Sequence, residues 1–231
     1  MENNKQYVGA LFISLAVVVF AFAVAFSAYN FSKLGSHVEV KGLSEKIMKS
    51  DTATWTISFD VKSSNIETLY SELERNKNAI ESFLINSGFE KSEINMTPMS
   101  IYQDTYRDAL FRYNAGAQIS LYTKKVDLVK EVSKNTLPLL QKGVLITQSN
   151  TYFEFTDINS IKPEMLAEAI ANAKISAKEF ASASGSKVGN IVRANQGVID
   201  ISEKDPGSPE YKKIRVVSTL RFFFEIIIYR V

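Results

Sequence analysis

Few side chains in this sequence have the type and spacing that chemistry requires. His37 is the only histidine and the chain has no cysteine, so an imidazole or thiolate metal site has no second ligand. "GSKVG", Gly185 to Gly189, has glycines spaced superficially like a phosphate-cradling loop. It lacks the Lys-Ser/Thr ending, and it follows a helical stretch instead of opening one. No Gly-x-Ser-x-Gly elbow occurs. Glu164 and Glu168 share one helix face, but at its N-terminal end, where carboxylates complement the helix dipole. "DINSIKPEM" has neither the glycine nor the ligand spacing of a calcium loop. These patterns predict no catalytic residue, no metal and no cofactor.

Recognition by aromatic and apolar side chains is the chemistry that remains. Tyr102, Tyr106, Phe111 and Tyr113 stand beside Asp104, Arg107 and Asp108, at what reads as a hairpin tip. Such a tip is expected to form a subunit contact; the alternative is a binding surface for a small or extended ligand. A second candidate is "RFFFEIIIYRV", Arg221 to Val231. Eleven residues are too few for a membrane helix, and a lone strand cannot satisfy its backbone in lipid. As a strand it places Phe222, Phe224, Ile226 and Ile228 on one face, continuing Ile214, Val216 and Leu220, and that face is expected to be core. The other face is polar at Lys213, Arg215, Thr219 and Arg221, then apolar at Phe223, Ile227 and Tyr229. A strand apolar on both sides needs cover on both. Phe223, Ile227 and Tyr229 are therefore expected to meet another subunit or the chain's own N-terminal linker.

The elements that position these residues follow from periodicity. "HVEVKG" alternates as a strand. In "TATWTISFDV", Ala53, Trp55, Ile57, Phe59 and Val61 fall on one face and hydroxyl or acidic residues on the other, so the strand is half-buried with its tryptophan in the core. Ile66, Leu69, Tyr70, Leu73, Ile80, Phe83 and Leu84 recur at helical spacing, and Gly88 is a stop. A second helix is expected over Val126–Gln141, with Val129, Val132 and Leu140 inward and Pro138 bending or shortening it. A third starts near Ser160 as cap and Pro163 in the first turn and runs to Gly185. Its inner stripe is Leu166, Ala169, Ile170, Ala173, Ala177, Phe180 and Ala181. "INMTPMSIYQDTY" and "FRYNAGAQISLYT" read as a hairpin, and "GVLITQSNTYFEFTD" and "KVGNIVRANQGVID" as further strands. The resulting fold class is α+β, with a mixed, largely antiparallel sheet packed against about three helices.

Ahead of these elements lies a different kind of segment. Tyr7 to Tyr29 carries no charge, and as a helix it would span roughly 34 Å, enough to cross a hydrocarbon core. Residues 1–29 are therefore expected to be a retained signal anchor, followed by a linker over 30–36 and a folded domain over 37–231. Cleavage after Ala23-Val24-Ala25 is the alternative and would leave a soluble exported protein. The formal net charge is +2 and the charges are interspersed, so no nucleic-acid partner is expected.

Taken in order, "VEVKG…S-DTATW", the helix with Asn76, the passage Gly88, Phe89, Glu93, Ile94, the aromatic hairpin near Tyr102 and Tyr113, and "SGSKVGNI" after the alanine helix resemble the SIMPL-domain family of bacterial periplasmic proteins. Ser50 stands where that family usually has proline before Asp51, and Arg112-Tyr113 where it has Gly-Tyr. The resemblance implies export to the bacterial cell envelope, with the domain in the periplasm and the N-terminal helix in the inner membrane. It implies a link to stress tolerance and, as in some relatives, self-assembly into a homo-oligomer or ring. It supplies no catalytic residues and no identified protein partner.

Overall fold

The alternation of Thr52–Ser63 decides the centre of the fold. The structure, a computed structural model, describes residues 14–28, 37–106 and 110–226. Strand β2 (Thr52–Ser63) buries Ala53, Trp55, Ile57, Phe59 and Val61, the face expected from the sequence. Its neighbours are β5 (Tyr113–Thr123) on one side and β6 (Ile146–Glu154) on the other, both antiparallel. With β3 (Ile94–Met96) and β4 (Ser100–Gln103), each antiparallel to β5, they form a five-stranded sheet. The other strands form a separate three-stranded sheet. It has the order β1-β8-β7, from β1 (His37–Lys49), β7 (Ser186–Glu203) and β8 (Tyr211–Ile226). Two sheets thus replace the single sheet expected, because periodicity reports which face of a strand is buried but not which strand lies beside it.

Among the described residues there are five helices: α1 (residues 14–28), α2 (Ile66–Asn86), α3 (Val126–Val132), α4 (Leu137–Gln141) and α5 (Ile158–Ala183). Asn65 starts α2 by accepting from the backbone N–H of Glu67 and Thr68. Leu69, Leu73, Ile80 and Leu84 are its buried stripe, while Tyr70 is exposed and outside it. Gly88, at φ +101°, ends the helix, and the N–H of Phe89 donates back to the Leu84 carbonyl at 3.2 Å. The single helix expected over Val126–Gln141 is two short ones, since Pro138 opens α4 near its N-terminus instead of bending a longer helix near its end. Leu139 is consequently buried and Leu140 exposed. Pro163 lies inside α5 and not in its first turn, because the helix already starts at Ile158.

By its contacts the chain divides into two compact units. One comprises the described residues up to Ser44, Glu164–Ile199 and those from Val216. The other comprises Glu45–Pro163 and Asp200–Arg215. The second unit holds the larger core, where α2 and α3 cover the inner face of the five-stranded sheet. Trp55 is fully buried there, edge-on to Phe83 with ring centroids 6.4 Å apart, and its indole N–H donates to the Ser149 hydroxyl at 3.0 Å. This is packing, with the polar atom satisfied.

In the first unit α5 lies on its sheet through Ala173 and Ala177 against Val40, Leu220 and Phe222. The buried positions of the helix recur every four residues: Met165, Ala169, Ala173, Ala177 and Ala181. Ile170 and Phe180 flank this stripe and are exposed, because the backbone approaches too closely to leave room for a larger side chain. A Cβ added to Gly42 would sit 1.7 Å from the Ala169 carbonyl oxygen. Gly42 therefore lies inside β1, not at its end. Residues 14–28 of α1 span roughly 22 Å. Among the described residues no helix is long and apolar enough to cross a membrane; the rest of Tyr7–Tyr29 lies outside the described residues.

Candidate functional site

The aromatic hairpin is built by the pairing of β4 with β5. The register sets Tyr102 opposite Asn114 and Gln103 opposite Tyr113. The Asp104 N–H donates to the Arg112 carbonyl at 2.9 Å, and the Asp104 carboxylate accepts from the Tyr106 N–H at 3.0 Å. Alternation along β5 puts Tyr113 on the same side as Ala115 and Ala117, so its ring packs against the core. The other three aromatics face solvent: Tyr102, Phe111 and, most of all, Tyr106 at 83% exposure. Ile101 and Leu110 join them, Leu110 at 80%. The Ser64 hydroxyl holds the Leu110 carbonyl at 3.1 Å, which ties the returning arm to the start of α2. The expected aromatic cluster is thus split, with Tyr113 half-buried against the core and Tyr102, Tyr106 and Phe111 exposed. Arg107 and Asp108 lie outside the described residues.

In the terminal strand, Ile214, Val216, Leu220 and Phe222 are buried as expected. Phe224 is half-buried and so is Phe223. Ile227 and Tyr229 lie outside the described residues.

A polar arrangement that no local pattern announced occupies the second unit. Glu210, whose side chain is 5% exposed, pairs with Lys130. Burial raises its affinity for a proton, but the Lys130 ammonium and the residue's own backbone N–H together outweigh this and hold the carboxylate below its usual range. Next to this pair, Lys49 bonds Asp127 at 2.6 Å. A cleft of about 370 Å³ is lined by Lys49, Ser50 and Lys124–Leu128. It resembles a site only superficially. Lys49 is engaged by Asp127, Lys125 donates to the Gly88 carbonyl at 2.9 Å, and the buried Ser50 hydroxyl has no hydrogen-bond partner that could act as a base.

The positions that carry the family resemblance have structural work here. Asp51 accepts from the N–H and hydroxyl of Thr156 and from the N–H of Asp157, all at 3.0 Å, which fixes the turn into α5. Burial raises its affinity for a proton, but these donors outweigh that and lower it below the ordinary carboxylate value. Ser50, in place of proline, contributes an N–H that donates to the Glu210 carbonyl at 2.7 Å. Glu93 accepts from the Thr123 hydroxyl at 2.6 Å and the Glu90 N–H at 2.9 Å. Gly185, at φ +68°, closes α5, and Ser186–Gly189 already belong to β7, so "GSKVG" is a helix stop that leads directly into a strand. His37 is an exposed residue opening β1. Glu168 receives the Ser44 hydroxyl at 2.7 Å.

Comparison with known proteins agrees with these motifs. The sequence pattern of the SIMPL family, described as a protein of unknown function (DUF541), matches residues 38–218. The chain belongs to the SIMPL family. No curated protein matches it. A solved hydrolase from Listeria innocua aligns at 10% identity over 79% of this chain and 92% of its own, but its TM-score of 0.21 carries no argument.

Proposed function

We propose that this protein is a non-catalytic, membrane-tethered member of the bacterial cell envelope. Tyr7–Tyr29 anchors it in the inner membrane, and its domain self-assembles in the periplasm. The observation that carries the reading is the exposure of Ile101, Tyr102, Tyr106, Leu110 and Phe111, five large apolar or aromatic side chains on the two arms of one hairpin. Exposed large apolar side chains gathered in one segment are what an interaction surface requires, and tyrosines among them suit a protein contact. Membrane tethering would raise the local concentration of copies and favour assembly. The link to stress tolerance comes with the family and is part of this reading.

The test is the mass of the full chain in detergent, corrected for bound detergent. A mass of several copies is expected. Tyr106→Ser with Leu110→Ser is expected to lower it without changing the circular dichroism spectrum. A single-copy mass for the wild type would refute self-assembly. A second reading, an exported binding module for an extended ligand, is favoured by the outward-facing rings of Tyr102 and Tyr106. It predicts that the same variant leaves the mass unchanged.

A further inference from the structure

We propose that two copies of this chain join through β7, edge to edge, antiparallel and centred on Asn195. This rests on the self-assembly reading and names a surface for it. At 18 residues β7 is roughly 60 Å long, far beyond the usual strand. It ends the sheet order β1-β8-β7, so among the described residues no strand pairs with its outer edge. Such an edge presents a row of unpaired N–H and C=O groups, which proteins ordinarily shorten, cover or charge. Among the described residues it is none of these. Asn190–Val198 is exposed on both faces of the strand, including Ile191, Val192 and, at 88% exposure, Val198. Arg193 is the one charged residue in that stretch.

The segment is complementary to itself. Pairing about Asn195 sets Ile191 of one copy against Ile199 of the other and Val192 against Val198, each twice by symmetry. The same register brings Lys187 opposite Glu203, so the basic start of the strand meets its acidic end. Glu203 already accepts from Lys212 of its own chain at 3.4 Å, and Lys187 would make that contact two-sided. Arg193 falls opposite Gly197, where no side chain obstructs it. Moving the centre by one residue, to Ala194 or Gln196, sets Val192 against Gln196 or Asp200 and loses this match. Cross-strand apolar and opposite-charge pairs are what stabilise an antiparallel register. A second copy fits this edge better than a foreign peptide because both the apolar and the charged pairs are satisfied by the strand's own sequence.

The chain has no cysteine, so an introduced thiol reports alone. Opposite residues in an antiparallel pair have Cα atoms about 4.5–5.5 Å apart, within disulfide reach. Val198 of one copy would be roughly 20 Å from Val198 of the other. In the full chain in detergent, mild oxidation of Asn195→Cys is expected to shift the protein to a dimer on a non-reducing gel. Val198→Cys alone should stay monomeric there, while Val192→Cys with Val198→Cys should form the dimer. All three positions are exposed, and an unchanged circular dichroism spectrum checks the fold. Dimer formation by Val198→Cys alone would overturn the register. If Asn195→Cys fails to cross-link while the wild type has the mass of several copies, this pairing is wrong and self-assembly stands. A single-copy wild type overturns both.

Discussion

Gly42→Ala should destabilise this protein although alanine is the better residue almost anywhere else in a folded chain. The added Cβ would lie 1.7 Å from the Ala169 oxygen and 2.6 Å from the Ala173 nitrogen. A carbon–oxygen contact needs about 3.3 Å, so α5 must retreat by about 1.6 Å. The obstacle is helix backbone, so no rotamer change relieves it. A gap of half an ångström to one ångström already forfeits about a quarter to a half of a dispersion contact. The loss is shared by Ala173 and Ala177 against Val40, Leu220 and Phe222. Overpacking costs about 1–3 kcal/mol and occasionally more. A backbone obstacle belongs at the upper end, roughly 3 kcal/mol, less about 0.5 kcal/mol for the lower entropy of the unfolded alanine chain. At about 2–4 °C per kcal/mol for a chain of this size, Tm should fall by roughly 5–10 °C. Thermal unfolding of the full chain in detergent, followed by circular dichroism, measures it. An unchanged or raised Tm would refute the close approach of α5 to β1.

Three further substitutions test the rest of the structure. Asp51→Asn should lower stability by about 1 kcal/mol near neutral pH, the low end for bonds to a charged acceptor because the carboxylate is partly solvated. Since the folded carboxylate titrates below its unfolded value, that stability is present above about pH 4 and lost as pH falls through the folded pKa. Urea midpoints of wild type and variant should therefore converge on acidification; a gap that widens instead would reverse the assignment. Phe222→Ala, at a side chain 2% exposed, should cost roughly 3–5 kcal/mol. Phe223→Ala, on the half-buried face, should cost clearly less, and equal losses in denaturant titrations would show that the two faces are equally core.

The parts of the fold that were legible in the sequence are those set by one strand or helix at a time. Trp55 and its alternating neighbours declare a buried face because a two-residue period leaves no other arrangement. The same holds for Leu69, Leu73, Ile80 and Leu84 at helical spacing. The full length of β1 is less legible, since "HVEVKG" marks a strand without showing that it runs on to Lys49 or that Gly42 lets a helix approach mid-strand. The alanine helix hides its true contact line for a related reason. Ile170 and Phe180 are the larger apolar side chains, yet the sheet is met by the small ones. The pair Glu210 and Lys130 is invisible to any local pattern, because 80 positions separate them. Of the aromatic hairpin, the sequence showed the tip but not that Tyr113 turns inward. That depends on which face of β5 the core covers, the face of Ala115 and Ala117, which turn composition alone does not fix.

The four-residue spacing of the buried alanines in α5 has a consequence for uniqueness. Ala169, Ala173, Ala177 and Ala181 are interchangeable, so sliding the helix along its axis by four residues, about 6 Å, puts an alanine where an alanine was. Volume distinguishes the two placements only at the end of the row, where the fully buried Met165 would give way to Ala169. Along the rest of the row the distinction lies in two hydrogen bonds: the Asn172 amide donates to the Leu43 carbonyl at 2.8 Å, and the Ser44 hydroxyl donates to Glu168. After such a slip, Ser176 would stand where Asn172 now reaches and Asn172 where Glu168 now accepts. These polar contacts act as an index mark on an otherwise repeating scale. A chain lacking both would have only Met165, at one end of the row, to fix its register, a ratchet with a single tooth.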